Sequence, residues 1–143
     1  RALYLPHMSK QEDFLASVQW AREQQGTDPK DLVLICHQTF NGSVYENGFY
    51  AKDGFDPSIV KDFRAVICGH IHKQQLFANI FYIGTPRWDS ISDANEQKGI
   101  WIFDDQDLSA EFVDLLPIEL DLLLPPPHLE LTRVCLLTAG RGP

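Results

Sequence analysis

Short apolar runs alternate with polar stretches punctuated by glycine and proline along most of the chain, a rhythm of short strands and few helices. "RALYLPH" predicts a strand over residues 2–5, ended by Pro6. Ser9 opens a helix, with Ser9 and Glu12 at capping-box spacing. Phe14, Leu15, Val18 and Ala21 form its apolar stripe, and Gly26 and Pro29 stop it. "DLVLICHQ" (31–38) predicts a buried strand ending at His37. Residues 39–57 are rich in Asn, Gly and aromatics and read as a long loop, of the kind that is usually functional. Asp56-Pro57 starts a short helix through Phe63. Strands follow at 65–68, 79–84 and 99–103, with a polar loop, "TPRWDSISDANEQK", before the last. Residues 110–115 read as an edge strand. This order predicts an α/β sandwich with mixed sheets.

The stretch 116–143 breaks the pattern. It is rich in leucine and proline without a period, and Pro125, Pro126 and Pro127 interrupt any helix or central strand. It reads as a linker into a further domain or as a non-native end.

Bulk properties narrow the classes. The chain has 143 residues, of which 44% are hydrophobic, as in a globular domain. No apolar run approaches the ~20 residues of a membrane helix. The chain begins with Arg1 and carries no signal peptide, so it is expected to be processed or a piece of something longer. Net charge is −8, against a module held on nucleic acid by its basic surface alone. The charge is uneven: Asp104, Asp105, Asp107, Glu111, Asp114, Glu119 and Asp121 lie in one segment without Lys or Arg, so the rest is near neutral. Cys36, Cys68 and Cys135 form no CxxC pair, which points to a reducing, cytoplasmic compartment. Cys36 and Cys68 close apolar runs and read as small buried hydrophobes.

The chemistry concentrates in histidines. "LVLICH" delivers His37 and "AVICGH" delivers His70, each at a strand end, where α/β sheets place ligands. His72 follows His70 at i+2, so in extended backbone both rings face one side. If the two strands are parallel neighbours, His37, His70 and His72 converge on one rim, and imidazole suits divalent transition metals. Gly69 lets the chain turn and the backbone approach a bound ion. His7, after Pro6, reads as structural or solvent-facing, and His128 lies outside the constellation.

"LICHQ", "VICGHIH" and "IFYIGTPR", in that order and spacing, resemble the second half of a calcineurin-like metallophosphoesterase domain. The likeness covers residues 1–115, so the fold it implies is the C-terminal half of that sandwich. "LYLPH", "HQTFNGSVYENG" and "GTPRWDSISDANEQKGIWIFD" further resemble the SbcD-type nucleases of DNA repair and recombination. The resemblance implies that His37 and His70 bind one divalent ion and His72 another, the two lying about 3.5–4 Å apart around a phosphate. It implies manganese as the metal, DNA as substrate and an SbcC-like ATPase subunit as partner.

The chain departs from that pattern. The family's Asp-x-His, Gly-Asp and Asn-His motifs are absent, and three histidines cannot hold a bridged ion pair without carboxylates. The expectation is therefore half an active site, inactive alone, and a half sandwich whose exposed strands favour a homodimer. Catalytic residues are not assignable within the chain. Arg87 is a candidate phosphate contact, with a surface pair to Asp89 as the alternative. Tyr45, Phe49 and Tyr50 are candidates for stacking on bases, with local packing as the alternative. Asn41 and Gln38 flank the strand end and could orient a ligand group by hydrogen bonding. No phosphate-binding glycine loop or nucleophile elbow occurs. Two other readings stay open: a small-molecule phosphodiesterase or phosphatase of the same fold, and a truncated domain that binds without catalysis.

Overall fold

A computed structural model describes residues 1–88, 91–93, 96–104, 106–115 and 134–137. The elements are β1 (Ala2–Tyr4), α1 (Gln11–Gln25), β2 (Val33–His37), β3 (Ala65–Gly69), β4 (Gln75–Phe77), β5 (Ile80–Tyr82), β6 (Gly99–Asp104), β7 (Ala110–Asp114) and β8 (Val134–Leu137). Short 3-10 turns lie at Pro29–Asp31, Pro57–Val60 and Ile91–Asp93. The fold is α/β with a mixed sheet. Strands run β1-β2-β3-β5-β4, the first four parallel and β4 antiparallel at the edge. A second, antiparallel sheet runs β7-β6-β8. No described helix is long and apolar enough to cross a membrane.

Period-2 alternation sorts the central strands between two cores. Leu34 and Cys36 of β2, Val66 and Cys68 of β3, and Ile80 and Tyr82 of β5 face α1, where Phe14, Val18 and Ala21 are buried against them. Val33 and Ile67, with partly buried Ile35 and Phe81, face the second sheet and meet Phe103, Trp101 and Leu108. The molecule is thus layered helix, sheet, sheet, and the central strands are apolar on both faces.

Several expectations need correction. Ser9 does not cap α1: the helix starts at Gln11 with Lys10 in extended backbone before it and no side-chain cap. Leu15 lies outside the apolar stripe, at the exposed boundary, while Gly26 ends the helix in the left-handed region as expected. The helix expected through Phe63 is a single 3-10 turn, whose N-terminal cap is the Asp56 carboxylate accepting from the Ser58 N–H at 2.9 Å. The run 79–84 yields only β5. It pairs with β4 across a two-residue turn in which Ala78 takes φ +50° and Asn79 donates to Val60 O at 3.0 Å and Phe63 O at 2.9 Å. Residues 134–137, inside the stretch read as a linker or non-native end, pair with β6 as β8. The remainder of 116–143, His128 included, and Asp89 lie outside the described residues. Cys36 and Cys68 are buried and free, with sulfurs 3.7 Å apart.

Candidate metal centre

Three neighbouring parallel strands end at one rim, and each hands over a histidine. His37 closes β2 opposite Gly69 of β3, so His70 emerges beside it. The His37 and His70 rings meet edge to face at 5.1 Å. His7 joins them from the chain leaving β1. Its ring stacks on His70 at 5.4 Å and lies 6.1 Å from His37. His7 Nδ1 is 2.9 Å from the His37 carbonyl. A carbonyl only accepts, so Nδ1 is the donor in this contact. The sequence reading had His7 as structural or solvent-facing, and it is exposed, yet its ring lies against the other two. The neighbourhood follows from "LYLPH" and "VLICH" being paired strands: Tyr4 sits opposite Ile35, so both chains exit at the same edge.

The period-2 account of His70 and His72 fails in detail. β3 ends at Gly69, and His70 takes φ +86°, so the backbone turns at the histidine rather than continuing extended. Gly69 serves a different purpose from the expected turn: a β-carbon there would lie 2.7 Å from His37 Nδ1, so glycine makes room for the imidazole next door. Positive φ at a non-glycine residue is uncommon and collects at functional sites.

His72, nearby, has its own set of polar contacts. Its N–H donates to Glu46 Oε1 at 2.5 Å, and its carbonyl accepts from the Thr85 N–H at 3.3 Å. Its ring Nδ1 faces Asp93 Oδ2 at 3.8 Å. Gly84, at φ +72°, permits the approach: a β-carbon would come within 2.9 Å of the His72 carbonyl. Donor atoms of Glu46, His72 and Asp93 all lie within 4.8 Å of one another. Glu46 comes from the long loop after β2 and Asp93 from the 3-10 turn in the polar loop after β5. These carboxylates were not singled out in the sequence because neither belongs to a recognisable spacing; only the fold brings them to His72.

Electrostatics suit ligation at the first group. Burial, and then the neighbouring imidazoles His70, His7 and His72, push the His37 pKa down. His70 is pushed down by burial, then by His7 and His72, with Glu46 opposing. Both rings are thereby biased toward the neutral form a metal requires.

The remaining candidates divide. Gln38 is buried, and its backbone carbonyl accepts from the Tyr82 hydroxyl at 3.0 Å. Asn41 is half-buried beside that chain exit. Tyr45 packs against the main core, whereas Phe49 and Tyr50 of the same loop are 72% and 66% exposed. Arg87 is exposed, and its carbonyl accepts from the Thr85 hydroxyl at 3.1 Å. Two clefts, of about 260 and 490 Å³, share Arg64, Ile67, Phe103 and Leu108 and contain none of these histidines. They follow the seam between the sheets, away from the titratable chemistry.

No family model matches the chain. Among curated proteins, the chain is similar to exonuclease subunit 1 of Enterobacteria phage T4, with 34% identity over 79 residues. The match takes in 55% of this chain and 23% of the phage protein, so the chain spans less than a quarter of that relative's length.

Proposed function

We propose that this chain is part of a divalent-metal-dependent nuclease that hydrolyses phosphodiester bonds in DNA, in end processing for repair or recombination. The observation that carries the reading is the His37–His70 contact at 5.1 Å, formed where two parallel strands end together. The similarity to a protein named as an exonuclease subunit supports nuclease chemistry as the reaction class. The donors fit a metal: imidazoles biased neutral on one side, and Glu46, Asp93 and His72 on the other. The carboxylate donors suit manganese, the metal that the resemblance to SbcD-type nucleases implies.

In this reading His37 and His70 hold one ion and His72 a second, with His7 closing the first group and Glu46 adding a carboxylate near the second. Bound ions would supply Lewis-acid activation of a phosphodiester and of a water. The chain's own residues fix the rim. Gly69 clears space for His37, and Tyr82 holds the chain leaving β2. Arg87 and the exposed aromatics Phe49 and Tyr50 contact the DNA. Further carboxylate ligands come from outside this chain, as does an ATPase partner resembling SbcC.

Manganese titration by calorimetry, run beside a labelled-duplex assay, tests the reading. The expected result is Mn²⁺ uptake that His37→Ala and His70→Ala each reduce by at least tenfold, with DNA binding strengthened by the metal. A wild-type chain that takes up no Mn²⁺ overturns it. Metal-dependent hydrolysis of bis(p-nitrophenyl) phosphate without any DNA affinity would instead favour a small-molecule phosphodiesterase.

A further inference from the structure

Large apolar side chains left in water are ordinary when scattered and mark an interaction site when gathered. Of the eight large hydrophobic residues exposed among the described residues, four lie on the three segments that meet at His72: Phe49, Tyr50, Trp88 and Ile91. The turn bearing Phe49 and Tyr50 follows Glu46, whose carboxylate accepts from the His72 N–H. Trp88 lies on the segment that Thr85 ties down. The Thr85 N–H donates to the His72 carbonyl at 3.3 Å, and its hydroxyl donates at 3.1 Å to the carbonyl of Arg87, the residue before Trp88. Ile91 opens the 3-10 turn that ends at Asp93, and the Asp93 carboxylate lies 3.8 Å from the His72 ring. Asp93 anchors that turn: it is fully buried, and Lys98 Nζ, also buried, stands 3.4 Å from its Oδ1. Ile91, 95% exposed, is thus held out in water from a fixed base.

This order is the reverse of a protein–protein interface, where an apolar centre is surrounded by a polar rim. Here the centre is polar, with His72, Glu46 and Asp93 together, and the exposed apolar side chains stand outside it. A nucleic-acid strand has the matching order, a charged backbone with apolar base faces to either side. We propose that Trp88 and Ile91 are specificity-determining residues that hold unpaired bases, so that the site takes frayed DNA ends in preference to blunt duplex. The proposal rests on the nuclease reading above and names the form of DNA that its site selects. In a duplex, each base face is covered by its neighbours in the stack. Only an unpaired base can swing out and offer a face to the Trp88 indole. Stacking of this kind is indifferent to base identity, so the selection is for unpairing and not for sequence. Isoleucine is among the apolar side chains that enter between base steps and unstack them. Trp88 therefore supplies the platform and Ile91 the wedge, on segments separate from the Phe49–Tyr50 turn.

Fluorescence anisotropy with two labelled hairpin duplexes tests this. They share one length, and the open end is either fully paired or mismatched over its last few pairs. The wild-type chain should bind the frayed end about tenfold more tightly or better, the equivalent of one or two stacked bases. Trp88→Ala and Ile91→Ala should each weaken frayed-end binding about fivefold or more and leave blunt-end binding within about twofold. Trp88→Phe keeps an aromatic face and should retain most of the preference. 2-Aminopurine at the unpaired terminal position should be quenched on binding to the wild-type chain and stay bright with Trp88→Ala. Both side chains are exposed, so urea midpoints should match wild type and separate these effects from folding. Equal wild-type affinity for the two ends overturns the proposal and leaves the nuclease reading standing. Variants that weaken both DNAs alike, or neither, overturn it as well. A wild-type chain with no affinity for either DNA sinks the nuclease reading and this proposal with it.

Discussion

A β-carbon placed on Gly69 would stand 2.7 Å from His37 Nδ1, closer than real β-carbons approach another heavy atom. The two residues are register partners on β2 and β3, so neither can shift without disturbing the ladder. The imidazole must then shift out of its present edge-to-face contact with His70 at 5.1 Å. Gly69→Ala should cost about 1–3 kcal/mol, the usual penalty for overpacking. It should also lower Mn²⁺ affinity at least tenfold, beyond what that stability loss explains. Urea unfolding and calorimetry on the same preparation separate the two effects. Unaltered metal affinity would show that the His37 ring position does not matter.

Acid should weaken the metal-free fold through His37 and His70. Both have folded-state pKa values below the ordinary histidine value, from burial first and neighbouring imidazoles second. The unfolded chain therefore takes up protons at a pH where the folded chain still resists them. The stability from keeping these rings neutral is in place above the unfolded-state pKa, about 6.5, and is lost as pH falls through the lowered folded values. The urea midpoint should fall as pH drops below about 6.5, and His70→Ala should flatten that slope. A midpoint independent of pH between 7 and 5 would contradict the crowding of these rings.

The sequence showed the parallel core because β2 and β3 are continuous apolar runs ending in histidine, and their pairing brings His37 and His70 together as the pattern predicts. Local conformations were less legible. Ser9 and Glu12 match a capping motif, yet Lys10 takes the capping position. β4 is too short and too polar, with Leu76 exposed, to register as a strand. His7, Glu46 and Asp93 were not read as site residues because each meets the other histidines only in the fold. Strand pairing brings His7, a loop closed by the Phe40–Phe55 bridge brings Glu46, and the polar loop after β5, tied within itself by the Asp93–Lys98 pair, brings Asp93 beside His72. No local spacing encodes such meetings.

The Tyr82 hydroxyl staples the chain as it leaves β2. It accepts from the Phe40 N–H at 2.9 Å and donates to the Gln38 carbonyl at 3.0 Å. Burial, with Cys68 next, raises its pKa well above that of ordinary tyrosine, so it stays protonated and able to donate. Tyr82→Phe keeps the ring and its stacking on Phe77 but leaves the buried Phe40 N–H without this acceptor. The expected cost is about 1–3 kcal/mol. Because Gln38 follows His37 directly, Mn²⁺ affinity should also fall several-fold. Equal urea midpoints for the two proteins would show that the hydroxyl contributes nothing net.

Phe49 and Tyr50 stand out from the loop whose other aromatics, Phe40, Tyr45 and Phe55, pack in or against the core. The loop is tied down on both sides of them. Val44 N–H donates to Gln75 Oε1 at 2.7 Å, and Ala51 N–H donates to Ser43 O at 2.8 Å. The two exposed rings are thus presented on a fixed turn, near the Glu46 that holds His72. Base–aromatic stacking is worth about 1–3 kcal/mol per base. Phe49→Ala and Tyr50→Ala should each weaken single-stranded DNA binding by about 5- to 150-fold, the equivalent of that range. Mn²⁺ affinity should stay unchanged, and so should stability to within about 0.5 kcal/mol, as for surface sites. Tyr45→Ala serves as the contrast: it should cost stability by opening the core, with little change in DNA affinity once the chain is folded. Fluorescence anisotropy with a short labelled oligonucleotide, read beside urea unfolding, distinguishes the two behaviours. DNA affinity that is indifferent to both exposed rings would move the nucleic-acid contact away from this loop.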